Sequence, residues 1–256
     1  MKEIKDQNKQ YLIEKLRVQG KRLDGRGLFE ERNFFFEYNA FSKNLFSGFA
    51  NLGKTKVLVS FDFEFGKPYS NLPSEGAMST SFTYSLYMPS LFVEKKKFID
   101  KEVELSRVID RCIRHSKIID FKALCLEAGE KAVFLYFDFV CLYDDGNLID
   151  CSIKGVNHIL RELSIKEFLK KKLALEEEEF INNNFEFFFK KKSLIPAFFV
   201  KYENYFLRDP TKLEELDSSF TISFAFSNKK ICSIQKSGIK GIQEKDLLEL
   251  VKPFTE

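Results

Sequence analysis

Two stretches of this chain carry residue types whose spacing could do chemistry. The first is Tyr143-Asp144-Asp145-Gly146-Asn147-Leu148-Ile149-Asp150. It follows an apolar run, Ala132 to Leu142, that reads as a buried strand, and it precedes Cys151 to Leu160, which reads as a helix. A strand, a glycine turn and a helix N-terminus make an anion site by default, because backbone N–H groups and the positive end of the helix dipole face the ligand. What stands at the turn decides the chemistry. Here it is Gly146, Asn147 and Leu148, with no Arg or Lys to pair a phosphate. The architecture of a phosphate site is present and its cation is missing. The second stretch is Glu104 to Lys117, which holds Arg107, Arg111 and Arg114. Arg107 and Arg111 lie at i, i+4, so on a helix both project from one face, with Asp110 and Arg114 placed to orient them.

The elements that must hold these residues follow from periodicity. Residues 3–19 have loosely helical spacing, ended by Gly20. Arg32 to Phe41 reads as a strand, and Phe46 to Asn51 with Lys56 to Phe65 reads as a hairpin about Gly53. A turn-rich loop from Gly66 to Gly76 leads into a strand from Met78 to Tyr87. Lys101 to Lys117 is the clearest helix, with Asp100 as its expected N-cap and Val103, Val108, Ile109 and Ile113 facing inward. Ser164 to Phe180 reads as a helix, with a solvated face formed by its Lys and Glu block. Strands are expected over Phe185 to Phe189, Ala197 to Lys201 and Tyr205 to Leu207. A second hairpin joins Phe220 to Phe226 and Lys230 to Gln235, and Gln243 to Val251 closes the chain as a helix. The pattern is α+β, with a hint of two similar halves.

Composition narrows the classes. The chain has 256 residues, 44% of them hydrophobic and 31% charged, which are globular values with room for a real core. No run approaches a membrane span, and the charged N-terminal stretch lacks a signal-peptide apolar core, so a cytoplasmic protein without membrane contact is expected. A net charge of +3 supplies no global field for nucleic acid; any RNA contact must come from a local patch. The five cysteines form no CxxC pair and read as free thiols in a reducing compartment. Two histidines give no zinc ligand set, and no metal or cofactor is expected. The 30 Phe and absent Trp read as a codon bias that fills the core, not as a stacking surface.

Several motifs in order resemble the RNase PH-like family. Arg22-Leu23-Asp24-Gly25-Arg26 opens the series, whose local reading is a turn held by Asp–Arg pairs. Gly53-Lys54-Thr55-Lys56-Val57 and Gly66-Lys67-Pro68 follow. The run Glu104 to Lys117 is similar to the signature helix of the non-catalytic RNase PH-like subunit of the archaeal exosome. Asp144 to Asp150, Asp209-Pro210-Thr211 with Glu214-Glu215, and Ile234-Gln235-Lys236-Ser237-Gly238 match the same subunit. The match runs with gaps from about Tyr11 to Val251, and Arg161 to Ser193 holds no matched motif.

The resemblance implies an RNase PH-like fold of two related β/α halves, ribosomal protein S5 domain 2-like. One domain over 1–256 is expected, with an N-terminal helix at about 3–19. It implies pairing with a catalytic RNase PH-like exosome subunit, as a trimer of heterodimers with S1/KH-type cap subunits on one face, acting on single-stranded RNA. Catalytic relatives degrade RNA from its 3′ end with inorganic phosphate and carry Gly-Ser-Arg or Gly-Thr-Arg at the turn; Gly146, Asn147 and Leu148 stand at those positions. They also carry an Arg pair before the signature helix, where this chain has Glu94-Lys95-Lys96-Lys97. Asp217 falls near one acidic catalytic position and reads as a surface carboxylate. The resemblance thus implies no catalytic residue here, a degenerate phosphate loop at Gly146, Asn147 and Leu148, and RNA backbone contact by Arg107, Arg111 and Arg114. Salt bridges to a neighbouring subunit are the competing role for those arginines. Two alternatives stay open: an active phosphorolytic exoribonuclease with a degenerate loop, and a structural subunit of a eukaryotic nine-subunit ring.

Overall fold

Strict alternation builds the first sheet. In β3 (Thr55–Gly66), Val57, Val59, Phe61 and Phe63 turn to one face and are buried, and in β6 (Lys131–Tyr143) Val133, Leu135, Phe137, Phe139 and Cys141 do the same. The two strands pair antiparallel along nearly their whole length, Val59 opposite Phe139. The computed structural model describes residues 20–38, 46–85, 95–162, 194–202 and 205–255, together with Tyr11, Glu14, Lys15 and Val18, which are helical. The expected helix Ser164 to Phe180 and strand Phe185 to Phe189 lie outside the described residues.

With β1 (Phe34–Tyr38), β2 (Phe46–Leu52), β4 (Ala77–Tyr84) and β5 (Cys125–Glu127), the first sheet has six strands in the order β1-β2-β3-β6-β4, with β5 also on β6. Among the described strands of this sheet, only β4 runs parallel to its neighbour, β6. The helices α1 (Lys95–Ser116) and α2 (Leu148–Glu162) cover its buried face. At Gly155 a Cβ would come within 2.8 Å of Val59 Cγ2, so the missing side chain lets α2 lie directly on β3.

The second sheet is antiparallel, in the order β10-β9-β7-β8, from β7 (Leu194–Tyr202), β8 (Tyr205–Arg208), β9 (Phe220–Ser227) and β10 (Lys230–Ser237). Its two faces split by parity. Phe198, Val200 and Tyr202 cluster with Leu207 and the α2 residue Ile149, whereas Ala197 and Phe199 join Leu250 and Val251 of α4 (Glu244–Thr255). The layers run sheet, helix pair, sheet, helix. A short helix, α3 (Lys212–Asp217), lies between β8 and β9.

Two expectations for α1 are corrected. It begins at Lys95, so Asp100 lies inside the helix and does not cap it. Lysines are good helix formers and nothing between Lys95 and Asp100 stops a helix. Val103 is exposed at 45%, while Leu105, Val108, Ile109, Cys112 and Ile113 form the buried stripe. In α2, helical geometry starts at Leu148, three positions before the sequence reading, which makes Asn147 the residue that precedes the helix.

Candidate functional site: a closed anion turn and an arginine helix

The turn Asp144–Asn147 leaves β6 and enters α2, as the strand–glycine–helix pattern predicts. Gly146 sits at φ +87° with Lys212 N 2.6 Å from where a Cβ would be, so the turn is pressed against the start of α3. Asn147 adopts the left-handed region at φ 56°, which Asn tolerates better than most side chains. Its Oδ1 accepts the N–H of Asp150 at 3.4 Å, and its Nδ2 donates to Asp150 Oδ2 at 3.1 Å and Asp209 Oδ1 at 2.6 Å. Its own backbone N–H, a donor that would face an incoming anion, donates to Glu215 Oε1 at 2.6 Å. Leu148 is buried at 4% exposure.

Cations do reach this turn, from distant parts of the chain. Lys212 Nζ pairs with Asp144 and lies 3.9 Å from Glu215 Oε2. Lys101 of α1 lines the same cavity of about 230 Å³ as Lys212, Glu215 and Leu148. Burial, then the charge of Lys212, lowers the Lys101 pKa. Burial also works against charge on Lys212, but Asp144 and Glu215 outweigh it and its pKa is raised. Burial raises the Glu215 pKa, against the pull of Lys101 and Lys212. Two amino groups therefore face two carboxyl groups, and Lys212 is committed to Asp144. Sequence reading missed these cations. Their signals were a lysine on the same helical stripe as Leu105 and Val108, and the Thr211-x-x-Glu214 capping box that starts α3, with Thr211 N donating to Glu214 Oε2 at 2.8 Å.

The opening motifs hold the turn in place. Arg32 donates from N and Nε to Asp209 Oδ2 at 2.8 and 2.9 Å and from Nη2 to Oδ1 at 2.8 Å, while Nη1 reaches Asp145 O at 2.9 Å. Burial opposes charge on Asp209, but the hydrogen bonds and charge of Arg32, helped by Asn147, bring its pKa down to about 2. Arg26 pairs locally with Asp24 at 2.6 Å, as the sequence suggests, and also reaches Asp209 Oδ2 at 3.0 Å. Arg22, fully buried, grips Glu214 through Nε at 2.9 Å and again through Nη2, and donates to Arg208 O at 2.6 Å. From the hairpin motif, Thr55 Oγ1 donates to Gly146 O at 2.7 Å and accepts Asp145 N–H at 3.2 Å. Asp150, wholly buried, carries a carboxyl pushed up to about 7 by desolvation, and its Oδ2 also accepts Phe198 N–H at 3.1 Å. Asp217 ends α3, half-buried.

The arginines of α1 divide into different states. Arg107 is exposed and forms no hydrogen bond or ion pair among the described residues. Arg111, also exposed, donates from Nη2 to Gln235 Oε1 at 2.8 Å. Arg114 is committed: it holds both oxygens of Asp110 at 2.9 and 3.0 Å and donates to Met78 O at 3.1 Å. That pair neutralises Asp110 and leaves the other two arginines uncancelled. Arg107 and Arg111 line a groove of about 570 Å³ against Ser79 and Thr80 of β4. Reciprocal bonds between Thr80 and Ser106, at 2.7 and 3.1 Å, fix the groove wall to the helix.

The chain is similar to known proteins along most of its length. Residues 30–158 match domain 1 of the 3′ exoribonuclease family and residues 195–252 match domain 2. The exosome complex component Rrp42 of Methanothermobacter thermautotrophicus is 31% identical over 238 residues, which is 92% of this chain and 86% of that protein. The component of the same name from Methanopyrus kandleri is 33% identical over 228 residues, 88% and 83% of the two chains. Among solved structures, an archaeal exosome core superposes with a TM-score of 0.76 at 26% identity, covering 98% of this chain and 94% of the other. The Archaeoglobus fulgidus exosome with RNA bound to the active site gives 0.73 at 27% identity over 97% and 94%. With both domains of the family matched, and relatives above 30% identity along most of its length, this chain belongs to the 3′ exoribonuclease family and has the RNase PH-like fold.

Proposed function

We propose that this chain is a ring subunit of an archaeal-type exosome that performs no phosphorolysis itself. It completes a ring with a catalytic RNase PH-like partner, beneath S1/KH-type cap subunits, and helps hold single-stranded RNA in the cytoplasm. Similarity to Rrp42 components and to exosome structures, one of them with RNA bound, supports ring membership. One observation carries the non-catalytic reading. The Asn147 N–H that would meet a phosphate already holds Glu215, and the next side chain, Leu148, is buried and apolar. Phosphorolysis needs donors preorganised for incoming charge and free to accept it. Here the backbone donor is taken, Lys212 is paired with Asp144, and the Asn147 amide is turned toward Asp150 and Asp209. Interlocking of Arg22, Arg26 and Arg32 with Asp209 and Glu214 supports a single folding unit for the two halves.

On α1, Arg107 and Arg111 present positive charge to a groove without reading sequence, as a degrader of any RNA requires. Arg114 supports them by neutralising Asp110. The test is direct. The purified chain, free of partner, is given single-stranded RNA and inorganic phosphate, and nucleoside diphosphate release is measured. None is expected, whereas the ring assembled with the catalytic partner releases it. Sustained release from a verified partner-free sample would overturn the non-catalytic reading.

A further inference from the structure

The motif Ile234-Gln235-Lys236-Ser237-Gly238 borders the cavity at the closed turn through Gln235 and Ser237, and Gln235 also reaches the arginine helix. Gln235 Oε1 accepts Arg111 Nη2 at 2.8 Å, from 124 positions further along the chain. Gln235 lies on β10, the outer strand of the second sheet, opposite Ser223 of β9, whose Oγ donates to the Gln235 backbone carbonyl at 3.4 Å. Its backbone is thus fixed by the sheet while its amide projects across to α1. Arg111 faces the groove beside β4, and Gln235 faces the cavity at the closed turn, so the bond spans the ridge between the two.

The chemistry of the acceptor matters. A free arginine side chain has many rotamers, and part of that freedom is lost when it binds a phosphate. An acceptor that holds one N–H in advance removes part of that loss and leaves the remaining N–H groups of the fork available. A carboxylate would hold the guanidinium too, but would cancel its charge, as Asp110 does for Arg114. A neutral amide orients without neutralising. Arg107, four residues earlier on the helix, has no such tether among the described residues.

We propose that Gln235 is a positioning residue for RNA: it pre-orients Arg111 toward the backbone phosphate while leaving its charge intact. This rests on the RNA-holding role given above to Arg111.

The test uses the ring assembled with its catalytic partner and a fluorescent single-stranded oligoadenylate, with affinity measured across a salt series. Gln235→Met keeps the bulk and removes the acceptor. Affinity should fall about three-fold, as expected for a modest ordering cost, with the salt slope unchanged because no phosphate contact is lost. Gln235→Glu restores the acceptor and adds a charge. It should bind RNA more weakly than Gln235→Met, with a salt slope shallower by about 0.7, the value for one single-strand phosphate contact. In an Arg111→Ala background, Gln235→Met should cost nothing further. Thermal melting of each ring shows that assembly is intact. If Gln235→Glu binds RNA as well as the parent, or if Gln235→Met costs as much with Arg111 absent as with it present, the positioning role is wrong. If Arg111→Ala alone leaves RNA affinity unchanged, the fault lies in the RNA reading of the helix.

Discussion

Asp209 takes Arg32 on both carboxylate oxygens, with Nη2 at 2.8 Å on one and Nε at 2.9 Å on the other. Arg32 precedes the first strand of one half and Asp209 follows the β7–β8 pair of the other, so the pair locks the halves and fixes the turn between them. Removing Arg32 leaves a buried carboxylate without its principal partner. Arg32→Ala is expected to destabilise the chain by about 3–5 kcal/mol, measured by chemical denaturation. Arg32→Lys should fall between, since a lysine keeps the charge and loses the fork. The acid limb tests the same pair. The Asp209 pKa is depressed from 3.8 to about 2, so its stabilisation is fully present above pH 3.8 and is lost as pH falls through about 2. It amounts to about 2 kcal/mol by linkage. Asp209→Asn should be less stable at neutral pH but lose less between about pH 4 and 2; an unchanged acid limb would contradict the assignment.

Glu215 occupies the Asn147 N–H, and deleting its carboxyl should reopen the turn. Glu215→Ala leaves a backbone donor and two lysines facing a cavity. A loss of about 1–3 kcal/mol is expected from the unmet donor. Inorganic phosphate, which should not shift the melting temperature of the parent chain, should raise that of Glu215→Ala. The variant should still fail to cleave RNA, because binding phosphate does not supply the other catalytic groups. Equal stabilisation of parent and variant by phosphate would mean the turn is open in both.

Arg107 and Arg111 should matter for RNA without being catalysts. Arg107→Glu with Arg111→Glu is expected to leave the ring assembled and to weaken RNA binding at least about ten-fold, irrespective of sequence. Degradation of long RNA should fall more than turnover of a minimal diphosphate substrate. Unchanged affinity in an intact ring would assign these arginines to contacts between subunits.

Much of this architecture could be read from residue order. The alternation in β3 and β6 and the hairpins about Gly53 and Asn228 depend on local pattern, so they were visible. The turn at Gly146 was visible as a site that lacks its arginine. Its filling was not. Glu215 and Lys212 lie on a six-residue helix too short to announce itself by periodicity, and Lys101 sits on an apolar stripe where a charge has no local meaning. Their roles arise only when α1, α2 and α3 converge. The same holds for Arg22 and Arg26: the local Asp24–Arg26 turn was legible, while the grip on Glu214 and Asp209 depends on a fold closed over more than 180 positions.

The buried Arg22–Glu214 pair also orders events at the ribosome. The two residues are 192 positions apart, so at about 5–20 residues per second Arg22 emerges roughly 10–40 s before its counter-ion. Over that interval the guanidinium keeps its hydration, and the segment bearing Arg22, Arg26 and Arg32 has no acidic dock from the second half. The first sheet, by contrast, has all its described strands within residues 34–143 and can collapse on its own phenylalanines. Tying down the N-terminal arm is thus a late step of biogenesis, one that reports on whether translation has reached the far half.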